Sequence, residues 1–185
     1  IGDIFSLLRD EDIPRVCFYH LVYAGRGAAL MAEDLDHEAT RRVVDLIIDR
    51  TAELHAQGCP KEVLTVDNHS DGPYVYLRML REGNPRAAQV LQLLNMNQGN
   101  SSGNGIGCVS WDGTVHPDQF WRSAVLGDVR RQPLAEILRH PLREQLARRL
   151  EYLEGRCALC SERDLCRGSH RERALAHSRN VWASD

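Results

Sequence analysis

The chain has 185 residues, of which 43% are hydrophobic and 26% charged, with a formal net charge of -3. That length suits one good domain, or one larger piece with a small appendage. The balanced charge lacks the basic excess of a nucleic-acid binder, and no run of about 18 apolar residues is present to span a membrane.

The opening Ile1-Gly-Asp-Ile-Phe-Ser has neither the charged start nor the apolar core of a secretory signal. Residues Asp3 to Arg9 read as the end of a helix, closed by Pro14. Arg15 to Val22 is nearly continuous in apolarity and rich in β-branched and aromatic residues, which predicts a strand buried on both faces of a parallel sheet. A flexible loop, Tyr23 to Gly27, and a polar stretch to Asp36 follow.

Glu38 to Gln57 is a strong helix: Val43, Val44, Leu46, Ile47, Ile48, Ala52 and Leu54 make one apolar face, and Gly58 ends it. After Pro60, Glu62 to Asp67 reads as a second strand. Strand, long helix and strand make a βαβ unit with parallel strands. A further helical stretch runs from Arg86 to Leu94. The Gly-, Ser- and Asn-rich segment Asn95 to Gly107 marks a junction, and the expected domain boundary lies near Gly99, giving domains 1–99 and 100–185.

Beyond it, Ile106 to Trp111, Asp112-Gly113 and Thr114 to His116 read as a β-hairpin on a type I′ turn. Ala124 to Val129 suggests another short strand, and helical stretches at Pro133–Arg139 and Pro141–Glu154 lead to a cysteine-rich tail.

Three of the six cysteines, Cys157, Cys160 and Cys166, fall in that tail at spacings of two and then five residues. A C-x-x-C step turns two thiolates the same way, and the third returns after a short excursion. Soft sulfur donors suit an iron–sulfur cluster or zinc. His170, at an x3 step, would complete a Cys3His zinc site and a non-catalytic interaction domain. Cys108 in the hairpin is another candidate fourth ligand, and structural disulfides are the plain alternative. The chain is longer and poorer in cysteine than a secreted disulfide scaffold, so a reducing cytoplasm is expected.

In parallel α/β folds, ligands collect at the carboxyl ends of strands. Here those ends hold His20, Tyr23 and Arg26, and then Asp67-Asn68-His69-Ser70-Asp71. His20, Tyr23, Arg26, Asn68 and His69 are the candidate binding residues, although Asn-His-Ser-Asp-Gly is also ordinary turn chemistry. No catalytic triad, phosphate-binding loop or paired-carboxylate site is legible.

Four stretches together resemble the C-terminal half of radical SAM enzymes of heme biosynthesis, with the pattern of the heme d1 branch. They are Arg15 to Gly27, Asn100 to Gly107, Gly113 to Trp121, and Cys157-x2-Cys160-x5-Cys166. The resemblance covers nearly the whole chain. It implies the C-terminal part of a partial (β/α) barrel that binds S-adenosylmethionine, followed by a SPASM-like domain whose Cys157, Cys160 and Cys166 hold an auxiliary 4Fe-4S cluster. Such enzymes use a second 4Fe-4S cluster and an electron donor to cleave S-adenosylmethionine to a 5′-deoxyadenosyl radical. In the heme d1 branch that radical attacks propionates of didecarboxysiroheme. The siroheme-dependent heme b route and peptide-modifying SPASM enzymes share parts of the pattern.

This sequence departs from the family in three ways. The three-cysteine motif of the radical-generating cluster is absent, so the chain alone is expected to be inactive. Asp118 and His170 stand where fuller SPASM motifs carry cysteines, which implies one auxiliary cluster rather than two. The family's last cysteine would lie just beyond Trp182-Ala-Ser-Asp185, leaving it, Cys108 and His170 as candidate fourth ligands.

Overall fold

The structure is a computed structural model and describes residues 1–184. The chain forms two compact units, one of residues 1–21 and 30–68, the other of residues 22–29 and 69–185.

The first unit is built on α1 (Gly2–Asp10), β1 (Arg15–Tyr19), α2 (His37–Ala56) and β2 (Glu62–Val66). Strands β1 and β2 pair in parallel, with Arg15 opposite Glu62 and Tyr19 opposite Val66. The expected βαβ unit is therefore present. Asp36 starts α2 by accepting a hydrogen bond from the Ala39 N–H at 2.7 Å, which satisfies one of the donors a helix leaves open at its first turn. The apolar stripe of α2 contributes Ile47 and Leu54 to a core with Phe5 and Leu8, against which Val16, Phe18 and Val63 pack. Phe5 and Phe18 stack at 5.8 Å.

The sheet is less buried than the sequence suggests: Val16 to Phe18 are half-buried, and Leu64 is exposed. Two strands alone cover little of each other, whereas a larger parallel sheet is covered on both faces. Among the described residues the parallel sheet is this two-stranded βαβ unit.

The second unit holds α3 (Asp71–Arg81) and α4 (Ala87–Asn97), then the antiparallel sheet β3 (Cys108–Val109), β4 (Thr114–His116) and β5 (Gly127–Asp128), in the order β3-β4-β5. Short helices follow: α5 (Leu134–Ile137), α6 (Pro141–Ala147), α7 (Gly155–Leu159), α8 (Arg163–Cys166) and α9 (Arg171–Ser178). Val115, Leu126 and Ile137 form its core beneath the sheet, with Leu142 packed against it.

Helix α3 is an addition to the sequence reading, in which Asp71-Gly72-Pro73 looks like a turn. Pro73 sits in the first helical turn, where its missing N–H costs nothing. Gly72 is needed for packing, since a Cβ there would meet Leu94 Cδ2 of α4 at 2.5 Å.

The hairpin is also corrected in detail. A type I′ turn needs positive φ at both central residues, yet only Gly113 has it, at 86°. The Gly113 N–H donates to Ser110 O at 2.9 Å and the Ser110 N–H to Thr114 O at 2.8 Å, the pattern of a three-residue loop ending on a left-handed glycine. Asp112 Oδ1 accepts from the Thr114 hydroxyl at 2.6 Å, which holds Asp112 out of the left-handed region. Among the described residues no helix is long and apolar enough to cross a membrane.

Candidate metal centre

The three clustered cysteines lie on two consecutive helical turns of the second unit. Cys157 is in α7, Cys160 follows it, and Cys166 ends α8. All six cysteines of the chain are free thiols, so the disulfide alternative is not realised. Cys160 is exposed, and Leu159 beside it is 89% exposed.

After Cys166 the backbone runs through three successive left-handed residues, Arg167 (φ 54°), Gly168 (φ 79°) and Ser169 (φ 52°). Two of these are not glycine, and such strain persists only where surrounding contacts enforce it. The reversal turns the Gly168 N–H onto Cys166 Sγ at 3.4 Å and the Ser169 N–H onto Cys166 O at 3.4 Å. From the other side the Asn100 N–H donates to Cys166 O at 3.1 Å. Gly99 (φ 60°) presses so closely on this turn that a Cβ would stand 2.4 Å from Leu165 O. The Gly/Ser/Asn segment that reads as a loose junction is thus part of the wall of the cysteine site.

Behind it lies a buried polar network that the sequence reading did not single out. Asp118, 6% exposed, accepts hydrogen bonds from the Phe120 and Trp121 N–H groups, each at 2.8 Å, and from the Ser102 hydroxyl. Arg149, 3% exposed, donates to Asn100 Oδ1, Ser102 O and Leu146 O. Burial, followed by the positive charges of Arg171 and Arg167, pulls the Arg149 pKa down to about 10. No local pattern marks Arg149. The side chains of Asn100 and Ser102 can bond backbone groups, and that capacity was the available clue.

The Cys166 thiol is pushed up, first by burial, and further by Cys157 and Cys160; the Gly168 N–H and Arg171 act against this. Such a thiol is a poor free nucleophile and ionises when a metal takes it. Three thiols that act on one another, with a backbone N–H aimed at one sulfur, fit a thiophilic group. Among the described residues no three His, Cys, Asp or Glu side chains already close on a single metal ion. Soft thiolate donors of this kind suit zinc or an iron–sulfur cluster.

His170 faces other partners. Its ring lies edge-on to His69 at 5.2 Å and to Phe120 at 5.3 Å. His69 is held here by its N–H, which donates to Ser169 Oγ at 3.2 Å, and by the packing of α3 on α8. Burial first, then the nearby His170 and Arg149, pulls the His69 pKa down to about 4, so the ring is neutral at physiological pH. Its Nδ1 is buried with no hydrogen-bond partner. Cys108 lies in β3 of the hairpin, opposite His116.

The remaining candidates divide between the units. In the first, the His20 N–H donates to Val66 O at 3.0 Å and so extends the strand ladder, while Asn68 follows the left-handed Asp67 (φ 66°). In the second, Arg26 is exposed, and Tyr23 is buried with the Arg173 guanidinium 4.3 Å over its ring and donating to its hydroxyl at 3.1 Å.

No solved structure matches the chain. Residues 103–162 match the SPASM family, described as an iron–sulfur cluster-binding domain. Over 191 aligned positions, covering all of this chain, it is 56% identical to Fe-coproporphyrin III synthase of Methanosarcina barkeri and 38% identical to pre-heme d1 synthase of Dinoroseobacter shibae. The alignments cover 48% and 47% of those proteins, so the chain spans about half the length of the curated relatives it matches. The chain is thus similar over residues 103–162 to the SPASM iron–sulfur cluster-binding domain, and over its whole length to about half of two enzymes of heme biosynthesis.

Proposed function

We propose that this chain is the C-terminal part of a radical SAM enzyme that modifies an iron tetrapyrrole, and that Cys157, Cys160 and Cys166 hold its auxiliary 4Fe-4S cluster. The observation that carries the reading is similarity over the full chain to two enzymes whose names place them on iron tetrapyrroles. The βαβ unit is then the last part of a partial barrel, with the SPASM portion starting near Gly99. S-adenosylmethionine, a second 4Fe-4S cluster and an electron donor belong to the whole enzyme, in the cytoplasm.

Cys157, Cys160 and Cys166 would hold the cluster, which would supply one-electron chemistry when bound. The chain's own residues do the holding. The Gly99–Asn100 backbone and the left-handed turn at 167–169 fix Cys166, and neutral His69 offers an uncharged imidazole beside the site. His20, Asn68 and Arg26 are the candidate contacts to S-adenosylmethionine or substrate; a guanidinium at Arg26 matches a carboxylate such as a propionate.

For the reaction itself, the motif pattern first suggested the heme d1 step, in which propionates of didecarboxysiroheme are attacked. The higher identity to Fe-coproporphyrin III synthase, 56% against 38%, favours the siroheme-dependent heme b route. Incubating the full-length protein anaerobically with didecarboxysiroheme, S-adenosylmethionine and a reductant separates the two. Formation of Fe-coproporphyrin III supports the second, and pre-heme d1 supports the first. An unchanged tetrapyrrole, with S-adenosylmethionine cleaved, refutes both.

A further inference from the structure

Arg171 is the largest fully buried side chain among the described residues, at 1% exposure, and it begins α9 five positions after Cys166. The left-handed run 167–169 folds it back over the cysteine turn. A Cβ on Gly168 would lie 3.2 Å from Arg171 Nη2 and 3.3 Å from its Cζ, so the guanidinium sits against the residue whose N–H points at Cys166 Sγ. In the other direction Arg171 Nη1 donates to Val181 O at 3.0 Å and to Ala183 O at 2.9 Å.

Those carbonyls belong to a strap, residues 180–184, that crosses the start of the cysteine segment. The Glu154 N–H donates to Trp182 O at 2.8 Å, Trp182 stacks on Tyr152 at 5.1 Å, and the Cys157 N–H donates to Ser184 Oγ at 3.3 Å. One buried cation therefore sits against the turn after Cys166 and holds the strap whose Ser184 meets the Cys157 N–H.

We infer that Arg171 is a positioning residue for the cysteine centre: its buried guanidinium clamps the 181–183 strap and places a fixed positive charge beside Cys166, raising the reduction potential of a cluster held there. A positive charge stabilises the more negative, reduced cluster, and burial keeps water from screening it. Arg suits this role because its fork reaches two carbonyls while the charge persists at every accessible pH. The inference rests on the proposed cluster.

The test is potentiometric EPR of the full-length protein, reconstituted anaerobically with iron and sulfide. The signal followed is the one lost in a Cys157→Ala/Cys160→Ala variant. Arg171→Gln is expected to keep that signal with its midpoint moved to a more negative potential, and Arg171→Lys to bring the midpoint back towards wild type. An unmoved midpoint in Arg171→Gln overturns the inference. If Arg171→Gln loses the cluster, Arg171→Lys decides. Retention at a near wild-type midpoint supports the role of charge; loss there too, or a midpoint shifted negative, overturns it. A wild-type protein with no such signal refutes the cluster reading instead.

Discussion

His69 and His170 meet edge to face at 5.2 Å, with the Ser169 hydroxyl accepting the His69 N–H at 3.2 Å. The contact joins the segment entering α3 to the turn that leaves Cys166. It places a neutral imidazole in a buried, polar corner.

A depressed His69 pKa makes folding pH-dependent. Protonation is easier in the unfolded chain, whose imidazole keeps the ordinary value of 6.5, than in the folded one at about 4. The stabilisation is therefore fully present above about pH 6.5 and is lost as pH falls from there through about 4. Allowing for partial exposure, it amounts to about 1–3 kcal/mol. Urea denaturation at pH 7 and pH 4.5 should show a larger drop for wild type than for His69→Gln. Equal drops would mean that the ring titrates normally. In the full-length enzyme, His69→Ala is expected to impair turnover with the fold intact; wild-type turnover would return His69 to a loop role.

The cysteine ligands are tested one at a time. Cys157→Ala, Cys160→Ala and Cys166→Ala should each lose most of the iron bound after anaerobic reconstitution, read by iron and sulfide analysis beside a visible spectrum. Unchanged iron in all three would remove the cluster. Stoichiometric zinc in a colourless protein would favour the interaction-domain reading.

Gly99 is constrained twice, by its φ of 60° and by Leu165 O at 2.4 Å from any added Cβ. Gly99→Ala should cost more than about 2 kcal/mol in chemical denaturation and weaken iron retention, because the Cys166 turn must move. Gly25, with φ 55° and open space around it, is the control. Gly25→Ala should cost only about 1 kcal/mol. Similar losses at both sites would show that the close approach at Gly99 is unimportant.

Asp118 satisfies the buried Trp121 N–H, the half-buried Phe120 N–H and the Ser102 hydroxyl. Asp118→Ala should destabilise the protein by about 2–3 kcal/mol, since the abandoned Trp121 N–H stays buried and the Phe120 N–H and Ser102 hydroxyl lose their acceptor. Asp118→Asn, which keeps one acceptor oxygen, should cost about 1 kcal/mol. The comparison is made by thermal or urea unfolding, and an Ala variant as stable as wild type would contradict the network.

Tyr23 stands just after a strand, and its hydroxyl accepts a hydrogen bond from Arg173. Tyr23→Phe should lower stability by about 1 kcal/mol. The KM for S-adenosylmethionine should not change, whereas a raised KM would restore Tyr23 as a binding residue.

The sequence alone determined the features that rest on local periodicity and spacing. The apolar face of α2, the two β-rich runs beside it and the helix stop at Gly58 place the βαβ unit, because a 3.6-residue repeat marks the helix and β-branched, apolar runs mark the strands. Three cysteines in ten residues announce soft-metal chemistry before any fold is known. Only the tertiary structure decided what depends on distant residues meeting. It seats Gly99 and Asn100 on Cys166, pairs His69 with His170, and buries Arg149 and Arg171 around the tail. It also turns Gly72-Pro73 into the start of a helix and gives the hairpin a single left-handed residue. These outcomes follow from packing and hydrogen-bond satisfaction between segments far apart in the chain, for which no residue carries a local signature.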